Sequence, residues 1–326
     1  MYLTCDKVPR EVRVSYILTG YRPTDTTFKY CCKSTLGLHN ETFNIWSHLL
    51  PLLYFIWIAV DIHHDLSGQT NITCSFLPLY CNMAGVCVLM LLSSLAHIFH
   101  AVSHKWRHLC FMCDYAAIGF YGVSAAIPGY YYSRYSKYWI TDPNIFIALS
   151  IMSAVIATIG CCYTRIDMHN KYIYYIRTGT YVFPYVVSST PMFCRIFLEP
   201  ESMDSTSQFI YFKHVLFMVL AAIFNVTRIP ERWSPGTFDI IGQSHQIFHI
   251  LIFLGVKECL YVMVHDIKTR NFDAIYETNT EPTLFSTFGN MLILTLLSIG
   301  VVLRFWQEIQ KQKVKRHKNP KAVHQD

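Results

Sequence analysis

His245 and His249 stand four residues apart in Ser244-His245-Gln246-Ile247-Phe248-His249, at the start of a long apolar stretch. On a helix such a pair shares one face, with Cβ atoms about 6 Å apart, and so forms a two-pronged clamp for a metal ion. A third imidazole from another segment completes a three-histidine set with one open position, the arrangement that suits catalytic rather than structural zinc. His97, in Ser93-Ser94-Leu95-Ala96-His97 of a second apolar stretch, is the candidate for that third ligand. Asp114 is the candidate general base, accepting a proton from water at the metal or orienting it. Ser93 lies one turn before His97 on the same face, where it can hydrogen-bond a ligand or that water. An all-imidazole set favours zinc among the common divalent ions. Such a site polarises a carbonyl and activates water, and the chemistry it suits is hydrolysis of a lipid amide or ester near the headgroup level. The plainer role of an intramembrane histidine, a helix-to-helix hydrogen bond, is assigned to His48. His100, His104 and His108 are expected at the interface.

The elements that must hold these residues are helices. The chain has 326 residues, 52% of them hydrophobic and 15% charged, where an average soluble domain is about 25% charged. Apolar windows fall at 44–61, 76–99, 111–132, 144–163, 178–197, 209–227, 240–262 and 284–303. About 20 residues suffice to cross a hydrocarbon core of ~30 Å. Strand-length alternation is absent, which argues against a barrel. The expectation is an all-α polytopic bundle: a cytosolic segment over 1–42, a transmembrane domain over 43–303 with a seven-helix core and an eighth C-terminal span, and a basic cytosolic tail over 304–326. The polar N-terminus carries no apolar run with a small-residue cleavage site, so no cleaved signal peptide is expected.

Orientation follows from the basic residues. Of 27 Lys and Arg, 20 fall in the N-terminal segment, the C-terminal tail and the three connections on their side; 4 fall on the opposite side. Both termini are therefore expected in the cytosol, with the sequon Asn71-Ile72-Thr73 outside. On this topology His97, Asp114, His245 and His249 share one leaflet, the last two roughly 8 and 13 Å into their span at 1.5 Å per residue. The net charge of +6 lies in tails and is no nucleic-acid footprint. The 12 cysteines read as small buried groups, without a disulfide framework and without a second pair to match Cys110-x-x-Cys113. Cys31 and Cys32 are candidate palmitoylation sites. The runs Tyr130-Tyr131-Tyr132 and Tyr172 to Tyr175 are read as interface belts, and Thr42 or Asn44 as the cap of the first span. Arg228-Ile229-Pro230-Glu231-Arg232 reads as a turn whose charges pair.

Together these motifs resemble the progestin and adipoQ receptor family. Asn40-Glu41-Thr42 with Asn44-Ile45-Trp46 resembles its opening motif; Ser93, His97 and Asp114-Tyr115 its second; Arg228-Ile229-Pro230-Glu231-Arg232, Pro235-Gly236, Phe238-Asp239 and Ser244 to His249 its third. Tyr16 to Arg22, Phe224-Asn225-Val226 and the eighth span are similar to the membrane progestin receptor branch, in the manner of its epsilon member. The resemblance implies a cytosolic N-terminus and a zinc ion held by His97, His245 and His249, with Asp114 and Ser93 beside it. It implies a receptor for a steroid or other lipid ligand or, by likeness to adiponectin receptors and alkaline ceramidases, a zinc-dependent lipid amide hydrolase acting on a sphingolipid-like molecule. Its expected partners are membrane lipids and that ligand. Asp-Arg-Tyr and Asn-Pro-x-x-Tyr signatures are absent, so coupling to G proteins is not expected. The plasma membrane is the expected location, with an endomembrane as the alternative.

Overall fold

A computed structural model describes residues 2–67, 76–134, 137, 140, 142–166, 172–270 and 281–318. The sequon at Asn71 and the end of the basic tail lie outside these residues. The described chain is helical: α1 (Phe28–Ser34), α2 (Thr42–Ser67), α3 (Leu77–Phe99), α4 (His104–Ser133), α5 (Pro143–Tyr163), α6 (Ile173–Leu198), α7 (Ser205–Thr227), α8 (Ser244–Thr269) and α9 (Asn290–Lys318). Among the described residues seven segments are long and apolar enough to cross a membrane: α2, α3, α4, α5, α7, α8 and the run Phe285–Lys311 that includes most of α9. The 26-residue α6 carries Arg195 and the internal prolines Pro184 and Pro191 and falls outside that set. It packs against α4, α5 and α7. From α2 to α8 each helix packs on the next, α8 returns to α2, and α9 lies outside against α4 and α5.

Local chemistry sets the boundaries. The Ser103 hydroxyl accepts from the Trp106 amide at the start of α4, and the Asp204 carboxylate from the Ser207 amide at the start of α7, each satisfying an otherwise unpaired N–H. Because of the Ser103 cap, α4 begins seven residues before the apolar window that predicts it (104 against 111). The α8 window also misplaces its helix. Gln243 and Gln246 form a reciprocal capping box, and Gly242 precedes it at φ 87°, a left-handed conformation that suits glycine. The helix therefore starts at Ser244 rather than 240, and His245 and His249 sit in its first two turns. Helices associate in lipid through close packing of small residues, and Gly85 shows it: a Cβ there would clash with the Ser124 side chain across the α3–α4 contact.

Several expectations are corrected. Tyr130, Tyr131 and Tyr132 are core residues, each at most 2% exposed, because their hydroxyls find partners inside the bundle: Tyr130 donates to the Ile140 carbonyl, Tyr131 to Ser286, and Tyr132 accepts from the Leu79 amide. His100 and His108 are buried rather than interfacial; Arg22 of the N-terminal segment reaches His100, and His104 lies against His108. Thr42 does not cap α2; its hydroxyl accepts from the His39 amide and donates to the Gly37 carbonyl. Asn44 does not cap it either, and its amide donates to Glu41. Cys31 is buried and Cys32 exposed, so only the second is open to acylation.

The N-terminal segment is a folded cover on the basic face of the bundle. The Asp239 carboxylate accepts from the amides of Leu18 and Thr19 and from the Thr19 hydroxyl. The Arg107 Nε donates to the Glu11 carbonyl. The guanidinium of Arg22 donates to the carbonyls of His97 and Ile98 at the end of α3, where a cation also suits the helix dipole. This contact holds the backbone that carries His97.

Candidate metal centre

His97, third from the end of α3, meets His245 and His249 from the first turns of α8. One ligand atom from each lies within 4.8 Å of the others. His97 and His249 are buried and His245 is half-buried. Ring orientation is fixed from behind. The His97 Nδ1 is 2.7 Å from the Glu41 carboxylate. An ionised carboxylate only accepts, so Nδ1 carries the proton and Nε2 keeps its lone pair. That Nε2 is buried and has no hydrogen-bond partner. The His249 Nδ1 lies 3.2 Å from the Asn44 carbonyl, another pure acceptor, and 2.9 Å from the Ser47 hydroxyl. Its Nε2 is likewise left as the basic nitrogen. Histidine ligands held by a carboxylate or carbonyl at the other nitrogen are the usual support of a metal site. His97, His245 and His249 thus form a donor set that could hold a metal ion.

Glu41 is central to this support. Burial pushes its carboxyl up, but His97, His100 and the Asn44 amide together hold it well below the usual carboxylate range. It is thus an anion facing His97 at neutral pH. Sequence patterning offered no role for it, because its partner is 56 residues away. The available signal is local: Asn44, three residues on, donates its amide to the Glu41 carboxylate. Ser47 also escaped notice. His48, assigned to packing, stacks on His249 with ring centroids 3.8 Å apart and planes 8° from parallel, and both its nitrogens are buried without partners. Replacing Glu41 by Gln should weaken metal binding by roughly 10–100-fold, measured by competition with a chelator on purified protein. Unchanged affinity would show that His97 needs no anionic partner.

Asp114 and Ser93 line the same cavity as the three histidines. The cavity has a volume of about 950 Å³ and extends from Arg10 and Arg13 of the N-terminal cover, past the histidines, to Met192 and Met263. Its lining is mostly apolar, with Tyr185, Ser188, Ser189, Tyr211 and His214 adding polar groups to it. The turn between α7 and α8 braces one side. The Glu231 carboxylate pairs with Arg228 at 3.3 Å and accepts from both the amide and the hydroxyl of Ser244, so it anchors the helix start that carries His245. The pairing expected across this turn is present. Cys110 and Cys113 are free thiols and contribute nothing to the histidine group.

Residues 36–258 match the family model described as haemolysin-III related. The human membrane progestin receptor gamma is 30% identical over 310 residues, covering 92% of this chain and 91% of the relative. The mouse membrane progestin receptor delta is 27% identical over 324 residues, covering 92% and 91%. The human membrane progestin receptor alpha is 30% identical over 274 residues, covering 80% and 75%.

Proposed function

The chain belongs to the haemolysin-III related family, that of the progestin and adipoQ receptors, and from this we propose that it is a multi-pass membrane receptor for a steroid or other lipid ligand, with an intramembrane zinc site near the cytosolic face. The steroid class comes from the relatives, which are named for a progestin. The observation that carries the reading is a cavity of about 950 Å³ with three converging imidazoles at its polar end. Ligand pockets commonly span about 300–1,000 Å³ and combine apolar walls with a few placed polar groups. The basic face is read as cytosolic from its Lys and Arg excess. The plasma membrane is the proposed location, with an endomembrane as the alternative.

A second reading, zinc-dependent hydrolysis of a lipid amide, is favoured by Asp114 in the same cavity as the histidines. A divalent ion at His97, His245 and His249 supplies Lewis acidity that polarises a carbonyl and acidifies water. Asp114 takes the proton lost by attacking water and returns it to the leaving amine. Ser93 hydrogen-bonds the reacting groups from the α3 side. The apolar walls hold the acyl chain and keep bulk water from it. The two readings are compatible if the released lipid is the signal.

The test is one preparation of detergent-purified protein, assayed for zinc, for saturable binding of tritiated progesterone, and for ceramide hydrolysis. Saturable binding supports the receptor reading, and its absence across several steroids removes the steroid assignment. If ceramide is hydrolysed, Asp114→Asn should cut turnover by about 10²–10⁴-fold with zinc retained. Turnover unaffected by that change excludes Asp114 as the base. Zinc without turnover leaves the metal as a structural or sensing element.

A further inference from the structure

The mouth of the cavity on the basic face is far more cationic than a pocket for a neutral lipid requires. Six arginines line it: Arg10, Arg13, Arg107, Arg165, Arg177 and Arg228. Three have partners: Arg13 donates to the Val8 and Asp6 carbonyls, Arg107 is held by His100 and by the Glu11 carbonyl, and Arg228 pairs with Glu231 through Nε, although its Nη2 is left without a hydrogen-bond partner. Arg165 is different. It is 4% exposed, lies over the Phe111 ring at 5.0 Å, and leaves Nε and Nη2 without a hydrogen-bond partner. Arg177 lies over the neighbouring Tyr115 ring at 5.5 Å, spends its Nε on the Thr164 hydroxyl and leaves Nη2 unpartnered. The carboxylates that share the cavity are engaged elsewhere: Glu41 faces His97, and Glu11 is 3.6 Å from His104. Asp114 lies with Ser93 at the histidine end. Among the described residues no carboxylate forms an ion pair with Arg165 or Arg177. Burial, opposed by Tyr115 and reinforced by Arg177, lowers the Arg165 guanidinium to about 10, so it remains cationic at neutral pH.

Arg165, buried, and Arg177, half-buried, have open N–H donors at a cavity and no anion among the described residues, and such guanidinium groups call for an anion. We infer that Arg165 and Arg177, set over Phe111 and Tyr115, bind the phosphate of a phosphorylated single-chain lipid whose tail runs inward along the apolar wall toward Met192 and Met263. A phosphate monoester suits the site better than a carboxylate. It brings about −1.5 to −2 charge and three acceptor oxygens, which match three open donor nitrogens on two arginines. Arg–phosphate geometry also permits paired hydrogen bonds from one fork. The inference rests on the reading of the cavity as a lipid pocket, and it specifies the headgroup class that pocket takes.

The same phosphate chemistry could be met by a soluble phosphate, so the experiment separates the two. Equilibrium binding to purified full-length protein is measured for radiolabelled lysophosphatidic acid and for monoacylglycerol of the same chain, with inorganic phosphate as competitor. The expected result is at least about tenfold tighter binding of the phosphorylated lipid, a gap set by two or more charge-assisted hydrogen bonds. Arg165→Gln and Arg177→Gln should each close most of that gap, with the parent's monodisperse elution in detergent showing that the variants fold. Arg165→Lys keeps the charge without the fork and should recover only part of it. Equal affinity for the two lipids, or a gap that survives both Gln variants, overturns the inference and leaves the lipid pocket standing. Binding of neither lipid overturns both. Full displacement by millimolar phosphate, with no contribution from the acyl chain, makes the ligand a soluble phosphate and overturns the lipid assignment.

Discussion

Replacing His245 and His249 together by alanine is expected to abolish zinc binding, from about one ion per chain to none. The change removes two of the three nitrogens that converge within 4.8 Å, and a single imidazole on α3 cannot hold a divalent ion against water. It should cost far more than the roughly 10–100-fold that loss of a supporting partner costs. His97→Ala removes the ligand whose lone pair faces the site with no protein partner, and it should lose metal as well. Metal content of the purified variants, measured with the parent protein, decides the matter. Zinc retained by the double variant would return the histidines to helix packing, and the hydrolase reading would go with the metal. The parent's lipid binding, measured on the same samples, reports whether the cavity survives without the ion.

Asp266→Ala is expected to be the most destabilising single change on the opposite face. Asp266 is fully buried and Arg195 is 1% exposed. The Arg195 Nη1 donates to both oxygens of Asp266 at 3.0 Å, and the Ser133 hydroxyl donates to Oδ2 at 2.5 Å. This joins α4, α6 and α8. Removing the carboxylate strands a buried guanidinium, which costs about 3–5 kcal/mol. Replacing both partners with apolar groups, as in Asp266→Leu with Arg195→Met, leaves no stranded charge and should cost much less. Thermal melting in detergent tests both. A double variant as unstable as the single one would show that the pair contributes more than its own desolvation.

Some of the fold was legible in the sequence and some was not. Windows of uncharged residues announced α2, α3, α5, α7 and α8, since lipid requires such runs to hydrogen-bond their own backbone. They failed at helix ends. The early turns of α4 carry His104, Lys105 and Arg107 and look like a loop, yet Ser103 caps them as helix. The window for α8 ran back through Gly242, where a left-handed residue and the Gln243 cap stop the helix. The tyrosine run at 130–132 reads as an interfacial belt because composition does not reveal whether a hydroxyl finds Ile140, Ser286 or Leu79.

By itself the sequence determined that this is a helical membrane protein and which three imidazoles are candidates to meet. Both follow from local rules: uninterrupted apolar length on the scale of a bilayer, and a four-residue spacing that puts two histidines on one helical face. Only the tertiary structure decided that His97 reaches that pair, that Glu41 and Asn44 set the protons on the rings, and that the N-terminal segment closes over the basic face. It also decided that Arg165 is buried and Arg177 half-buried, each with an open donor at the cavity mouth. These contacts join residues tens to hundreds of positions apart. Pairing of that kind depends on which helices pack together and at what register, and residue spacing along one strand of sequence carries no term for it.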